Sequence, residues 1–243
     1  EFFKDRCGQY IFISTASAYQ KPHPGGVITE QTPLDNPFWE YSQKKIECEV
    51  TLRELCADNN LAFTIVRPSH TFRTRMPGAV IDGDHQSWRM LKGKPVIVHG
   101  DGQSLWTLTY ATDFAQAFTR LFDNPKALNQ DFQITKDHAH TWDSIVQTSA
   151  QIIGCAANIV HVTPEALIRD RDAWYGPLLG DKANSVEFSK QKLVDAIGDW
   201  SCAFSLEHGI SLAWQFAQQR ITNDYRPDES LDALVDKIIS SQN

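Results

Sequence analysis

The order of its buried apolar runs constrains this chain most. Tyr10-Ile-Phe-Ile-Ser14 is a short apolar segment ending in small hydroxyl residues, and Leu61-Ala-Phe-Thr-Ile-Val66 is a second, stopped by Arg67-Pro68. Each is apolar throughout and too short for a helix, so each reads as a strand buried on both faces of a parallel sheet. The proline keeps the residue before it extended and marks the second strand's end. Between them, Lys21 to Phe38 holds four prolines and two adjacent glycines and reads as a loop. From Tyr41 to Asn59, Cys48, Leu52, Leu55 and Cys56 recur at helical spacing, which predicts an amphipathic helix ended by Asn59-Asn60. Strand, loop, helix and strand in that order mark an α/β fold with a parallel sheet.

The alternation continues downstream. Pro95 to Val98 is strand-like, and Thr112-Asp113 is expected to cap a helix carrying Phe114, Ala117, Phe118, Leu121 and Phe122. Phe132-Gln-Ile134 is a short strand, and Thr141 caps a helix that Gly154 closes. Ile159 to Val162 is another strand, followed by a helix start at Thr163-Pro164-Glu165. The last third is more helical. Ser189 is expected to cap Lys190 to Ile197, and Ser205 a helix through Arg220. Leu231, Leu234, Val235, Ile238 and Ile239 form a final apolar stripe, read as core packing with a subunit contact as the alternative.

Composition removes several classes of function. With 23 bases against 30 acids, the net charge is −7, and no local Lys/Arg run offers a nucleic acid an electrostatic footprint. No apolar stretch approaches the ~18 residues of a membrane span, and no signal-peptide pattern opens the chain. Five cysteines, odd in number and never spaced C-x-x-C, fit a reducing cytoplasm better than a disulfide or zinc framework. His138 and His140 are the closest histidine pair and read as polar loop residues, so no metal site is expected. The chain starts at Glu1 and runs at once into what reads as the middle of a domain, so an upstream piece is expected to be missing.

Tyr41 and Lys45, four apart at the start of a helix, project from one face. They follow a strand ending in Ser14-Thr15-Ala16-Ser17 and precede one ending in Arg67-Pro68-Ser69-His70. Strand ends of a parallel sheet are where α/β proteins bind ligands, and a tyrosine, a lysine and a hydroxyl cluster there suit proton transfer. A free phenol ionises only near pH 10, but a neighbouring ammonium, joined by a cationic nicotinamide ring where one binds, favours the phenolate. Tyr41 could then take a proton from a substrate hydroxyl as hydride leaves for the cofactor, with Thr15 holding the substrate oxygen. Lys45 would also reach the cofactor ribose.

With these residues assembled, the chain resembles the extended short-chain dehydrogenases/reductases, the NAD-dependent epimerase/dehydratase family. The resemblance rests on Phe12-Ile-Ser-Thr-Ala-Ser-Ala-Tyr19, Tyr41-Ser-Gln-Lys-Lys45, Ile65-Val-Arg-Pro68, Gly100-Asp-Gly102 and Tyr110-Ala-Thr-Asp-Phe-Ala115, in family order across roughly residues 9 to 160. It implies a catalytic set of Thr15, Tyr41 and Lys45, and a nicotinamide site of Ser14, Tyr41, Lys45, Pro68, Ser69 and His70. It further implies NAD or NADP as cofactor, NAD being favoured, and a small-molecule substrate, with a homodimer as the expected assembly. A Rossmann-like, doubly wound parallel sheet over residues 1–69 and 106–135, with its N-terminal part missing, would carry the cofactor. Residues 70–105 and 136–243 would form a smaller α/β substrate domain.

This chain departs from the family pattern in ways that shape its expected chemistry. The glycine-rich turn that seats the cofactor pyrophosphate lies upstream of these residues. The dehydratase and decarboxylase branches carry an acid just after the catalytic Ser/Thr, where this chain has Ala16 and Ser17, so both branches are discounted. Trp106 stands where nucleotide-sugar members place a diphosphate-gripping Arg, and His70 where they often place an Asn. Ser17, His70, Arg73, Arg75 and Trp106 are the expected substrate residues, the two arginines supplying anion contacts. The expected reaction is epimerisation or oxidoreduction of a secondary hydroxyl of a sugar or nucleotide sugar. The alternatives are a reductase or dehydrogenase of a non-nucleotide carbonyl and a non-catalytic binding module on the same fold.

Overall fold

A computed structural model describes residues 2–3 and 6–242 of the chain. Strand β1 (Tyr10–Ile13), helix α1 (Glu40–Asp58) and strand β2 (Phe63–Pro68) realise the α/β unit read from the sequence. β1 lies parallel to β2 with Tyr10 opposite Phe63 and Ile13 opposite Val66. On its other side β2 pairs in parallel with Gln130–Ile134, Val66 opposite Phe132 and Pro68 opposite Ile134. Side chains alternate across a strand, and β2 uses that alternation to serve two layers. Phe63 and Ile65 pack with Cys56 and Leu52 of α1. Val66, on the opposite face, joins Ala117, Leu121, Phe132, Leu193 and Trp200. Thr64 shares that second face and is satisfied there: its hydroxyl donates to the Ala127 carbonyl at 2.6 Å and accepts from Gln9 at 2.7 Å.

Only half of the apolar stripe expected on α1 is buried: Leu52 and Cys56 pack on the sheet, whereas Cys48 and Leu55 do not. Cys48 is exposed and Leu55 is 56% exposed, while Ser42, Glu49 and Cys56, spaced two turns apart, are buried. The apolar count misled because the sheet beneath α1 presents a charge. Arg67 continues the α1-facing set of β2 and bonds Glu49 through Nε at 2.9 Å and Nη2 at 2.6 Å, both residues being 1% exposed. Arg67 Nη1 lies 2.8 Å from Asp131 and donates to the Tyr19 hydroxyl at 3.3 Å. Burial works to raise the Asp131 carboxyl, but the charges of Arg67 and Lys192 hold it below the ordinary range. A buried ion pair adds little net stability, yet removing one partner strands the other charge.

Two expected caps also differ. The Ala111–Thr119 helix starts without a side-chain cap, and Asp113 lies inside it, fully buried, accepting the Ala203 backbone N–H at 2.9 Å. The helix expected from Lys190 begins at Gln191, whose N–H Ser189 accepts at 3.3 Å. The partners of Asp113 and Gln133 show why residues 186–203, expected in the second domain, pack with the first. Gln133 is fully buried and donates to the carbonyls of Ile28 at 2.8 Å and Ser189 at 2.5 Å, stitching both segments to the sheet. The first compact unit is therefore Glu1–Thr71, Thr107–His138 and Val186–Ala203; the second is Phe72–Trp106, Ala139–Ser185 and Phe204–Asn243.

In the second unit Val96–His99 pairs in parallel with Ile159–Val162. Thr141 caps the Trp142–Ile153 helix, which Gly154 closes in the left-handed region at φ 85°. The final helix, Glu229–Ser240, buries Val235, Ile238 and Ile239. It is also held by charge: Arg89, fully buried, binds Asp232 and lies 2.6 Å from Asp236, and Lys94 binds the same two carboxylates. Nearby, His99 is buried edge-on to Trp142, ring centroids 5.6 Å apart, and its Nε2 has no hydrogen-bond partner. Burial, reinforced by the Lys182 cation, pushes the His99 imidazole down to about 4.

Two measurements test these assignments. Glu49→Ala should lower unfolding stability by about 3–5 kcal/mol, because it leaves Arg67 short of its closest counter-charge. A denaturant midpoint matching the unsubstituted protein's would show that the pair holds nothing. His99 binds a proton more readily unfolded than folded. Its contribution is therefore complete above about pH 6.5 and is lost as pH falls towards 4, by on the order of 3 kcal/mol. Urea midpoints from pH 7 to 4 should fall less steeply in His99→Asn, and equal slopes would refute the assignment.

Candidate active site

The chain leaves β1 through Ser14, whose N–H continues the ladder by donating to the Val66 carbonyl at 2.7 Å. It then enters a short 3₁₀ turn, Ala16–Ala18, capped by Thr15 in extended conformation (φ −155°), whose Oγ1 accepts the Ser17 N–H at 3.2 Å. The Ser17 hydroxyl is 3.0 Å from Thr15 Oγ1 and 2.7 Å from the hydroxyl of Ser42 on α1. Asn36, buried in the loop before α1, donates to the Ser17 carbonyl at 2.7 Å and accepts the Phe38 N–H at 3.2 Å. The start of α1 is thereby tied to the end of β1 by side chains rather than by apolar packing.

Lys45 makes a second tie, its Nζ donating to the Ile13 carbonyl at 2.8 Å. The same ammonium lies 4.9 Å from the Phe12 ring centroid and 5.9 Å from that of Tyr41. Tyr41 is 44% exposed, its ring beside Trp39 with centroids 5.0 Å apart. Tyr19, the other tyrosine of this region, is fully buried, and burial pushes its phenol up despite the Arg67 charge beside it. Tyr41 is thus the exposed tyrosine beside Lys45, and Lys45 is bonded to the last residue of β1, next to Ser14 and Thr15 in sequence. Ser14, next to Thr15 in sequence, has its hydroxyl buried and unpartnered.

At the end of β2, Pro68 is paired with Ile134, and the Ser69 hydroxyl accepts from that of Thr107 at 2.8 Å. His70 is half-buried at the start of a short strand, His70–Phe72. Ser17, expected against substrate, is only 4% exposed, with its hydroxyl turned to Thr15 and Ser42. The remaining expected substrate residues belong to the second unit. There Arg73 lies over the Phe216 ring at 5.9 Å, and Arg75 faces Asp82 at 3.5 Å and Asp84 at 3.8 Å, which balance its charge. Trp106 is 3% exposed and packed on Trp142, ring centroids 5.5 Å apart, as an interior anchor. Among the described residues no three or more metal-ligating side chains cluster. No helix of the described residues is long and apolar enough to cross a membrane.

Sequence reasoning missed Ser42, Asn36 and Glu49. One signal was there to find: Tyr41, Lys45 and Glu49 recur every four residues, so an acid follows the expected catalytic pair along the helix. Ser42 and Asn36 carried no such mark, because their partner is a turn 19 to 25 residues away.

The chain is similar to several known proteins. The chain is 27% identical over 143 residues to 2'-dehydrokanamycin reductase of Streptomyces kanamyceticus, covering 57% of this chain and 40% of that protein. It is 26% identical over 165 residues to the chloroplast stem-loop binding protein of 41 kDa b from Arabidopsis thaliana, covering 65% and 39%. The chain thus spans about two fifths of the length of these curated relatives. In structure it is similar to the UDP-glucuronic acid 4-epimerase of Bacillus cereus, solved with NAD (TM-score 0.71, 18% identity, 88% of this chain and 62% of that one). It is equally similar to the UDP-glucose 4-epimerase of Thermotoga maritima (TM-score 0.71, 20% identity, 90% and 66%). Both share its Rossmann-like α/β fold. Residues 2–135 match the NAD dependent epimerase/dehydratase family, and the chain belongs to that family.

Proposed function

We propose that the complete protein is a nicotinamide-dependent epimerase or oxidoreductase acting on a secondary hydroxyl of a sugar or nucleotide sugar. One observation carries the reading: a solvent-facing tyrosine and a lysine share one helix face, and that face is tied to a hydroxyl at the C-terminal end of a parallel strand. The residues suit the nicotinamide–ribose half of NAD or NADP. The Lys45 ammonium stands at the strand end, and the buried Ser14 hydroxyl lacks a partner. A bound nicotinamide supplies the site that accepts or returns hydride. Tyr41 Oη takes the substrate's hydroxyl proton and later returns it, Lys45 stabilises the phenolate charge, and Thr15 Oγ1 holds the substrate oxygen. Ala16 and Ser17 offer no carboxyl group for a dehydration step. A homodimer in the cytoplasm completes the proposal.

The likeness to a stem-loop binding protein favours a second reading, a binding module on the same fold. The net charge of −7 and the Tyr41–Lys45 pair weigh against it.

The test offers the protein UDP-glucose, UDP-glucuronic acid or kanamycin, with and without NAD or NADP. Turnover without added cofactor identifies an epimerase; a stoichiometric change at 340 nm identifies an oxidoreductase. Tyr41→Phe should lower turnover by about 10²–10⁴-fold while NADH binding, read by tryptophan fluorescence, stays within about threefold. Undiminished turnover in that variant would sink the mechanism. A binding module would turn over none of the three and would bind an RNA stem-loop with steep salt dependence.

A further inference from the structure

We propose that Ser42 and Ser17 form a directed hydroxyl chain that leaves Thr15 able only to donate a hydrogen bond, so that it presents a proton to the reacting oxygen of a bound substrate. This rests on the reading of Thr15 as the residue that holds that oxygen. Each hydroxyl has one proton and two lone pairs. Ser42 is fully buried, and Ser17 Oγ at 2.7 Å is its one hydrogen-bond partner among the described residues. Were Ser17 to donate to Ser42, the Ser42 proton would be sealed away without an acceptor, a penalty larger than the net worth of the bond gained. Ser42 therefore donates to Ser17. The Ser17 proton then goes to its other hydroxyl partner, Thr15 Oγ1 at 3.0 Å. Thr15 Oγ1 already accepts the Ser17 backbone N–H at 3.2 Å. With both lone pairs filled, only its proton is left to offer.

The Asn36 bond to the Ser17 carbonyl and the Thr15 cap hold the turn in the conformation that the count requires. Hydrogen bonds in series polarise one another, so each donation strengthens the next. Thr15 then favours an oxygen that has lost its proton, a ketone or an alkoxide. Because Thr15 cannot accept a proton, Tyr41 is left as the acceptor. Ser42 acts through its neighbours and is a positioning residue, placed one position from Tyr41, so that one helix start sets both partners of the substrate oxygen.

Hydroxyl-proton NMR on the deuterated chain, with protonated serine and threonine, tests the direction without any substrate. Ser42 and Ser17 hydroxyl protons should exchange slowly with water, and that of Thr15 rapidly. A protected Thr15 proton with a freely exchanging Ser42 proton would mean that the chain runs the other way, and the proposal would fall. Kinetics supply the second arm, using whichever of UDP-glucose, UDP-glucuronic acid and kanamycin the protein turns over. Ser42→Ala and Ser17→Ala should each lose about 2- to 10-fold in kcat with KM within twofold, and Ser17→Thr, which keeps the hydroxyl, should recover most of it. Unchanged kcat in both alanine variants would overturn the proposal. If the unsubstituted protein turns over none of the three, the functional reading fails, while the exchange pattern still decides the chain's direction.

Discussion

The pairing of Arg67 with Glu49 is the constraint on which the first unit depends. It joins the helix that carries Tyr41 and Lys45, the proposed catalytic pair, to the central strand of the three-stranded sheet, and it does so in a buried, two-pronged geometry. Apolar packing tolerates small slides, because its strength varies little with angle. A guanidinium–carboxylate fork does not, since both bonds weaken as soon as the planes part. Ser42 on Ser17 and Lys45 on Ile13 repeat the principle towards the start of the helix. Three directional ties along one face thus set the rotation of α1 as well as its distance from the sheet. The proton transfer proposed for Tyr41 needs both, because a supporting shell that is loose by an ångström costs a site its geometry.

The same ties explain why α1 is unusual for a helix lying on a sheet. Its buried positions hold a serine, a glutamate and a cysteine, while Val50 and Leu55 face outward. A helix chosen only for burial would have put leucines inward. Here the inward face is polar, and the sheet answers with Arg67, itself placed by the alternation that puts Phe63 and Ile65 on the same side.

Local order was legible from the residues. The apolar runs found β1 and β2, the proline-rich stretch found the loop, and hydroxyl residues found the caps at Thr141, Thr163 and Ser205. The nearness of Tyr41 and Lys45 to each other and to the end of β1 was legible because two titratable groups shared a helical spacing next to strand ends. What stayed hidden was pairing across long separations. Asp113 resembles a cap by position, yet its partner is a backbone N–H 90 residues later. Trp106 resembles a site residue by register, yet it packs against another tryptophan. Arg75 resembles an anion contact until Asp82 and Asp84 are seen beside it. Each of these depends on a partner that no local window contains.

The threading of the first unit has a consequence for synthesis. Leu193 and Trp200 close the sheet face that Val66, Leu121 and Phe132 open, and they are made last. When the chain has emerged only as far as His138, that face carries Ala117 and Leu121 but still lacks Leu193 and Trp200. At about 5–20 residues per second, the wait until Ala203 appears is roughly 3–13 s. That interval is long beside the microseconds of hydrophobic collapse, so part of this apolar face waits for its last cover. A chain cut after residue 138 would never leave that state.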